Sequence, residues 1–118
     1  KKLTGSNEFD SLHIYQQDYI LGRNPWGISF INNIGTVFSK NLHSQVAFFN
    51  NGYLSGALTA GPAPSNLLEK YKIQRLNNDN EFNSADIKYF DDRMDYITNE
   101  PTIVGNATAL FVFGVLSN

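Results

Sequence analysis

The sequence predicts an all-α chain in which two core helices flank a long, irregular middle region. Apolar spacing and capping residues predict one helix from about Asn7 to Leu21 and a second from about Glu100 to Leu116. Alternating strand patterns are nearly absent between them. The chain has 118 residues, of which 42% are hydrophobic, so it is long enough for one domain and apolar enough for a core.

The first predicted helix carries an apolar stripe at helical spacing. Ser6 suits the N-cap position, because its side chain can accept a hydrogen bond from the first turn. Gly22 suits the residue after the helix end, and Pro25 follows as expected beyond it. The stripe consists of Phe9, Leu12, Tyr15, Tyr19 and Ile20.

The second predicted helix is apolar on nearly all sides from Ile103 to Phe113. Pro101 fits its first turn, and Thr98 or Asn99 can cap it. A helix that is hydrophobic all round is expected to be buried all round. One other helix and some loops cannot cover it, so we expect the chain to be part of a larger α-helical body.

The middle region predicts little regular structure. The apolar runs 28–31 and 46–49 fit short strands, and 66–76 fits a short surface helix with Ser65 as its N-cap. Long irregular connections in compact domains are usually functional. The alternative is a small α+β domain with weak strands, which the lack of alternating patterns disfavours.

Composition excludes several classes of function. The net charge is -2 and no basic block occurs, so nucleic acid is a poor partner. The absence of cysteine excludes disulfides, thiolate metal sites and thiol catalysis. The longest apolar stretch, Ala107 to Leu116, is too short to span a bilayer, so we expect no membrane partner.

Carboxylates and aromatic side chains are concentrated between residues 89 and 100. Clustered carboxylates repel, and protonating one of them relieves the repulsion and yields a general acid. Aromatic rings beside acids also suit the apolar face of a sugar. On composition alone, a solvated acidic loop that caps a helix is the favoured interpretation. A metal site is a third interpretation, although the spacing does not follow a calcium loop. The residues are Tyr89, Phe90, Asp91, Asp92, Asp95, Tyr96 and Glu100.

The same segment carries a longer pattern of spaced aromatic, acidic and small residues. The pattern is Tyr89, Asp91, Tyr96, Glu100, Thr102, Asn106 and Ala107. It matches every position of the second active-site signature of glycoside hydrolase family 9, the cellulase family, and the chain resembles that family. Residues 18–25 and 56–62 are similar to the segments that flank the family's first signature.

The first signature itself matches in part. Ser29, Ile31, Gly35, Leu42 and His43 stand where the family pattern places them. Asn32 and Val37 depart from it, and Gln45 stands where the family usually has an arginine. Glutamine still forms hydrogen bonds but lacks the charge and the fixed fork of donors that arginine offers.

The resemblance implies a fold and a mechanism. The whole chain, 1–118, is expected to be the C-terminal fragment of one catalytic domain, an (α/α)6 barrel. The family hydrolyses β-1,4-glucosidic bonds with inversion, so Glu100 would protonate the leaving oxygen. A carboxylate upstream of this chain, about 6.5–9.5 Å away, would activate water. Asp91, the second acid of the signature, would belong to the catalytic site and hold substrate or orient it rather than act as the base, a role that stays an open alternative. His43, Tyr96 and Gln45 would bind substrate.

The implied partners are a β-glucan polysaccharide or oligosaccharide and the remainder of the same domain. The resemblance implies no cofactor and no metal ligands here, with any structural calcium held elsewhere in the domain. It also implies a secreted, bacterial-type enzyme. Endoglucanase and cellobiohydrolase activities stay open. So do a non-catalytic glucan-binding relative, which Gln45 motivates, and an exo-acting β-glucosidase or glucosaminidase.

Overall fold

A computed structural model describes residues 5, 7–8, 10–77 and 80–116 of the chain. It is mostly helical, as predicted. Within the described residues, the regular sheet is a single antiparallel pair of two-residue strands. In chain order the elements are α1 (Asp10–Ile20), α2 (Gln45–Phe49), β1 (Ala63–Pro64), α3 (Ser65–Tyr71), β2 (Ile87–Lys88), α4 (Tyr96–Asn99) and α5 (Ile103–Leu116).

The first long helix agrees with its prediction at its carboxyl end. Helix α1 ends at Ile20, one residue before the predicted Leu21. Gly22 follows with a φ of 115°, a conformation that L side chains rarely adopt. The predicted cap, Ser6, lies outside the described residues.

The second long helix begins three residues later than predicted. Glu100 is extended, with φ -83° and ψ 125°, because a residue before proline is disfavoured in the helical conformation. Helix α5 therefore starts at Ile103, after Pro101. The predicted caps Thr98 and Asn99 are wrong: the Oγ1 of Thr102 accepts the hydrogen bond from the Gly105 N–H, at 3.1 Å.

The irregular middle holds more helix than the sequence predicts. The 46–49 run lies in helix α2 and is not a strand, since the Ser44 hydroxyl accepts a hydrogen bond from the Ala47 N–H and caps the turn. The 28–31 run forms two isolated bridges, from Ser29 to Phe38 and from Ile31 to Leu58.

The predicted surface helix at 66–76 exists but is shorter. Helix α3 covers Ser65–Tyr71 and ends because Lys72 adopts a left-handed conformation, with φ 47°. Ser65 is its first residue, and Pro64 occupies the N-cap position without a side-chain hydrogen bond. The predicted cap is therefore displaced by one residue.

The tightest packing lies in the irregular segments rather than in the two long helices. Trp26, Phe30 and Tyr89 form one buried cluster, with ring centroids 4.9 Å apart for Phe30 and Tyr89. The indole N–H of Trp26 donates to Asn83 Oδ1 at 2.8 Å, so this ring packs a turn. Among the described residues, α1 and α5 supply none of the fully buried hydrophobic side chains, which corrects the prediction of two core helices.

Helix α5 is exposed on much of its surface. Ile103 is 89% exposed, Val104 and Leu110 are each 77% exposed, and Phe111 is 63% exposed. The helix is apolar all round, but the other described elements leave much of it uncovered, so the expected burial is not reached within this chain. An apolar groove of about 560 Å³ remains between α1 and α5. No helix in the described part of the chain is long and apolar enough to cross a membrane.

Candidate active site

Asp92 is a buried structural anchor. Its side chain is 2% exposed, and its two oxygens accept hydrogen bonds from different main-chain donors. The Asn77 N–H lies 2.7 Å from Oδ2, and the Met94 N–H lies 2.8 Å from Oδ1. Because both oxygens are used, Asp92 ties the end of the 72–77 loop to the turn before α4.

Asp95 caps helix α4. Its Oδ1 accepts from the N–H groups of Ile97 and Thr98, at 2.9 and 3.1 Å. Its Oδ2 lies 2.5 Å from the Nε of Arg75, and the side chains of this ion pair are 0% and 9% exposed. The buried Asp95 carboxylate accepts hydrogen bonds from all three of these donors, so it stabilises the fold and is not available to a ligand.

Asp91 faces the other way, toward the 40–41 backbone. Its carboxylate accepts from the main-chain N–H groups of Lys40, at 3.1 Å, and Asn41, at 2.9 Å. The side-chain amide of Asn99 adds a donor at 3.1 Å. These bonds fix the segment leading to His43 against the end of α4, which is an orienting geometry.

Tyr89 of the pattern is a core residue. It is 0% exposed, and its hydroxyl lies 2.5 Å from Ser39 Oγ and donates to Asn99 Oδ1 at 2.9 Å. Burial raises the pKa of Tyr89 well above its usual value of 10.0, and the negative charge of Asp91 adds to this. The ring and hydroxyl thus hold Asn99, the last residue of α4.

Glu100 follows Asn99 immediately and has a different environment. The main-chain carbonyl of Glu100 accepts from the Ala60 N–H at 3.1 Å, and that of Thr98 accepts from the Gly61 N–H at 2.9 Å. The backbone is therefore fixed on both sides. The carboxylate of Glu100, by contrast, makes no hydrogen bond or ion pair with any described residue. Glu100 is partly exposed and lines an open groove of about 570 Å³.

Asn106 holds the start of α5 in place beside this groove. Its Oδ1 accepts from the Leu58 N–H at 2.7 Å, and its Nδ2 donates to the Leu58 carbonyl at 3.0 Å and to the Thr102 carbonyl at 2.8 Å. The amide imitates a strand pairing partner. Asn106 of the pattern therefore has a structural role, which is to hold the start of α5 against Leu58.

His43 and Gln45 line the same groove as Glu100. The main-chain N–H of His43 donates to the Asn99 carbonyl at 2.9 Å. The ring Nδ1 atom of His43 lies 2.7 Å from the Arg93 carbonyl oxygen. Gln45 is exposed at the first position of α2. Tyr96 is 40% exposed and packs edge-on against the His43 ring, with centroids 5.9 Å apart.

The structure thus brings three of the five predicted site residues into one groove, which Glu100, His43 and Gln45 line. Tyr96 packs against the His43 ring, and Asp91 accepts hydrogen bonds from the main chain of residues 40–41. Sequence reasoning missed Arg93 and Phe48, which also line the groove. Arg93 has aspartates as sequence neighbours, but its guanidinium lies 4.9 Å from the centroid of the Phe48 ring. Nothing in the local spacing signals this contact.

The described residues contain no group of three or more histidine or carboxylate side chains that could hold a metal ion. The polar groups that line the groove include the Glu100 carboxylate, which has no partner among the described residues, the His43 imidazole, the Gln45 amide and the Arg93 guanidinium. Such a set can donate a proton and form hydrogen bonds to hydroxyl groups.

A sequence model of glycosyl hydrolase family 9 matches residues 1–113. The chain belongs to glycosyl hydrolase family 9. Endoglucanase 13 of Oryza sativa subsp. japonica is 32% identical over 109 residues, which cover 86% of the chain and 17% of that protein. Endoglucanase 21 of Arabidopsis thaliana is 30% identical over 115 residues, which cover 86% of the chain and 16% of that protein.

The predicted resemblance to family 9 is therefore confirmed. This family 9 chain spans less than a fifth of the length of these relatives, with 17% and 16% covered. The relatives named are plant proteins, which gives no support to the expected bacterial type. No solved structure is significantly similar to the chain.

Proposed function

We propose that this family 9 chain supplies the general acid of a hydrolase that cleaves β-1,4-glucosidic bonds in cellulose or related β-glucans. The observation that carries the proposal is the environment of Glu100. Of the four acids between residues 91 and 100, it alone has a carboxylate without a described partner, and it lies in the groove. A carboxyl group available to a ligand on a fixed backbone is what proton donation requires.

The mechanism follows from the inverting scheme. Glu100 protonates the leaving glycosidic oxygen while a second carboxylate activates a water molecule on the opposite face of the sugar, about 6.5–9.5 Å away. Among the described residues, Glu100 is the single acid that lines the groove. The base is therefore assigned to the remainder of the catalytic domain.

The other site residues bind and orient. With Nδ1 donating to the Arg93 carbonyl, His43 presents Nε2 to a sugar hydroxyl, and Tyr96 supports the ring. Gln45 offers both an amide donor and an amide acceptor from the first turn of α2. Asp91 orients the 40–43 segment through its hydrogen bonds to the main chain.

The same proposal places the chain in an (α/α)6 barrel as its C-terminal part. The exposed apolar surface of α5 and the groove beside α1 would then pack against other helices of the barrel. Burying such surface contributes roughly 25 cal/mol per Å². We further infer that the protein acts outside the cell, where polymeric β-glucans are found.

A non-catalytic glucan-binding protein is the second candidate, and Gln45 motivates it. An exposed glutamine in the groove can hold a sugar hydroxyl but supplies no charge. An exo-acting β-glucosidase or glucosaminidase is a further member of the same reaction class. Hydrolytic activity distinguishes the proposed hydrolase from a non-catalytic binding protein, and substrate preference distinguishes it from the exo-acting enzymes.

The test uses the full-length protein with cellulose, cello-oligosaccharides and chitosan as substrates, with NMR detection of the anomer released. We expect cleavage of the glucans to the α-anomer. Glu100→Gln should lower the rate by about 10²–10⁴-fold, the contribution of a general acid. Glu69→Gln, at an exposed position on α3, is the matched control and should keep wild-type activity.

Each result decides between the candidates. Binding without hydrolysis by the wild-type protein would support the non-catalytic relative. Preferred cleavage of chitosan or of terminal glucose units would support an exo-acting enzyme. Unchanged activity in Glu100→Gln would remove the assignment of the acid.

A further inference from the structure

Arg93 has an unusual environment for an arginine beside three aspartates. Its guanidinium carbon lies 4.9 Å from the centroid of the Phe48 ring, and the side chain is exposed. The nearby acids Asp92 and Asp95 are occupied by other donors, as the distances above show. Within the described ranges, Arg93 forms no ion pair.

Arg93 is also the one lysine or arginine among the described residues that line the groove with Glu100. A guanidinium held near an aromatic ring loses part of its rotamer freedom before any ligand arrives. Its five N–H donors lie in the guanidinium plane and stay available at the edges. A flat cation with several free donors suits the hydroxyl groups of a sugar.

The surroundings restrict where those donors can act. Phe48 lies on α2, and the main-chain carbonyl of Arg93 accepts from His43 Nδ1 at 2.7 Å. The Arg93 backbone is thus tied to the histidine that lines the groove, while its side chain reaches α2. Arg93 therefore contacts His43 through its main chain and Phe48 of α2 through its side chain. Its charge lies in the same groove as Glu100, the proposed proton donor.

We infer that Arg93 is a substrate-binding residue whose guanidinium, held against Phe48, donates hydrogen bonds to hydroxyl groups of a β-glucan lying beside Glu100. The inference rests on the proposed function and deepens it, because it names a determinant of sugar affinity. In this assignment Arg93 supplies the cationic donor in the groove that Gln45 cannot supply.

The test measures binding apart from hydrolysis. Cellotetraose is titrated by calorimetry into the full-length Glu100→Gln protein, with and without Arg93→Met. Methionine keeps an apolar stem against Phe48 but removes every donor. We expect the Kd to rise about tenfold or more, as the loss of a hydrogen bond to a charged group predicts. Arg93→Lys keeps the charge and should restore part of the affinity.

The matched control is Arg23→Met. Arg23 is also exposed, and its guanidinium pairs with Asp18 at 2.7 Å, away from the groove. This variant should bind cellotetraose as the parent does. Phe48→Leu provides a second probe at a different residue, since it removes the ring that holds the guanidinium; we expect weaker binding there as well. Thermal unfolding of each variant establishes that it is folded.

The outcomes separate this inference from the proposed function. If the wild-type protein hydrolyses glucans but Arg93→Met leaves the Kd unchanged, the assignment of Arg93 is wrong and the function stands. If the wild-type protein binds without hydrolysis and Arg93→Met weakens binding, Arg93 stands and catalysis does not. Absence of any binding by the folded Glu100→Gln protein would contradict both.

Discussion

The Nδ1 atom of His43 lies 2.7 Å from the main-chain carbonyl oxygen of Arg93. A carbonyl oxygen only accepts hydrogen bonds, so Nδ1 must carry the proton and donate. The ring edge packs against Tyr96, with centroids 5.9 Å apart. Together these contacts fix the orientation of the imidazole and leave Nε2 for the groove.

The first prediction concerns this tautomer. In its neutral form His43 should carry its hydrogen on Nδ1, because Nδ1 donates to the Arg93 carbonyl. Nitrogen NMR of histidine-labelled full-length protein measures this, and the signals are assigned by their loss in His43→Gln. His13, exposed on α1, serves as the internal comparison. Detection of the hydrogen on Nε2 of neutral His43 would contradict the proposed presentation.

The second prediction concerns Asp91. Asp91→Asn replaces one carboxylate oxygen by an NH₂ group that faces the N–H donors of Lys40 and Asn41. We expect the free energy of unfolding to fall by about 1–3 kcal/mol, because a charged hydrogen-bond acceptor is lost. Denaturant titration measures it, and Asp86→Asn, at an exposed carboxylate, is the control. A stability loss no greater than that of the control would show that Asp91 does not orient the segment.

The third prediction concerns Asn106. Asn106→Asp keeps the shape of the side chain but loses the Nδ2 donor to the carbonyls of Leu58 and Thr102. Placing a carboxylate against two carbonyls should cost about 1–3 kcal/mol of unfolding free energy. Asn66→Asp, the same replacement at an exposed residue of α3, should change stability by less than about 0.5 kcal/mol. Equal effects in the two variants would contradict the anchoring role.

The fourth prediction is a pH dependence of stability. The pKa of Tyr89 is raised in the folded state by burial, whereas in the unfolded state it has its usual value of 10.0. Above that pH the unfolded state has lost the tyrosine proton and the folded state retains it. The contribution of Tyr89 to stability is therefore full below pH 10 and decreases as the pH rises beyond it.

Tyr89→Phe removes this dependence. At neutral pH the variant should be less stable by about 1–3 kcal/mol, because the buried Asn99 Oδ1 loses its donor. The difference from wild type should shrink as the pH rises above 10.0. Unfolding titrations across alkaline pH measure both effects, with Tyr53→Phe at an exposed tyrosine as the control. A difference that is constant with pH would contradict a buried, neutral Tyr89.

The sequence predicts the helical class and the two long helices, because apolar spacing is a local signal. It misplaces the start of α5, because Pro101 fits a first helical turn although a proline also keeps the preceding residue, Glu100, extended. The prediction of a strand at 46–49 is wrong, because this run lies in α2. Four apolar residues have no distinct period, and the cap at Ser44 decides the outcome.

The site is less accessible to local reasoning. Asp92 and Asp95 are carboxylates close to Glu100 in sequence. In the structure they accept hydrogen bonds from Asn77 and Arg75, which lie 15 and 20 residues away from them. Only the folded chain brings these donors to the two aspartates. The signature match singled out Glu100, whereas the contact between Arg93 and Phe48 depends on a turn and a helix that spacing does not relate.

The central claim is that Glu100 protonates the leaving group, and a leaving-group comparison tests it most directly. The full-length wild-type and Glu100→Gln proteins are assayed on cellotetraose and on a dinitrophenyl β-cellobioside, whose leaving group needs no proton. We predict a loss of about 10²–10⁴-fold on cellotetraose and a far smaller loss on the aryl substrate. Equal losses on the two substrates, or no loss on cellotetraose, would contradict the assignment.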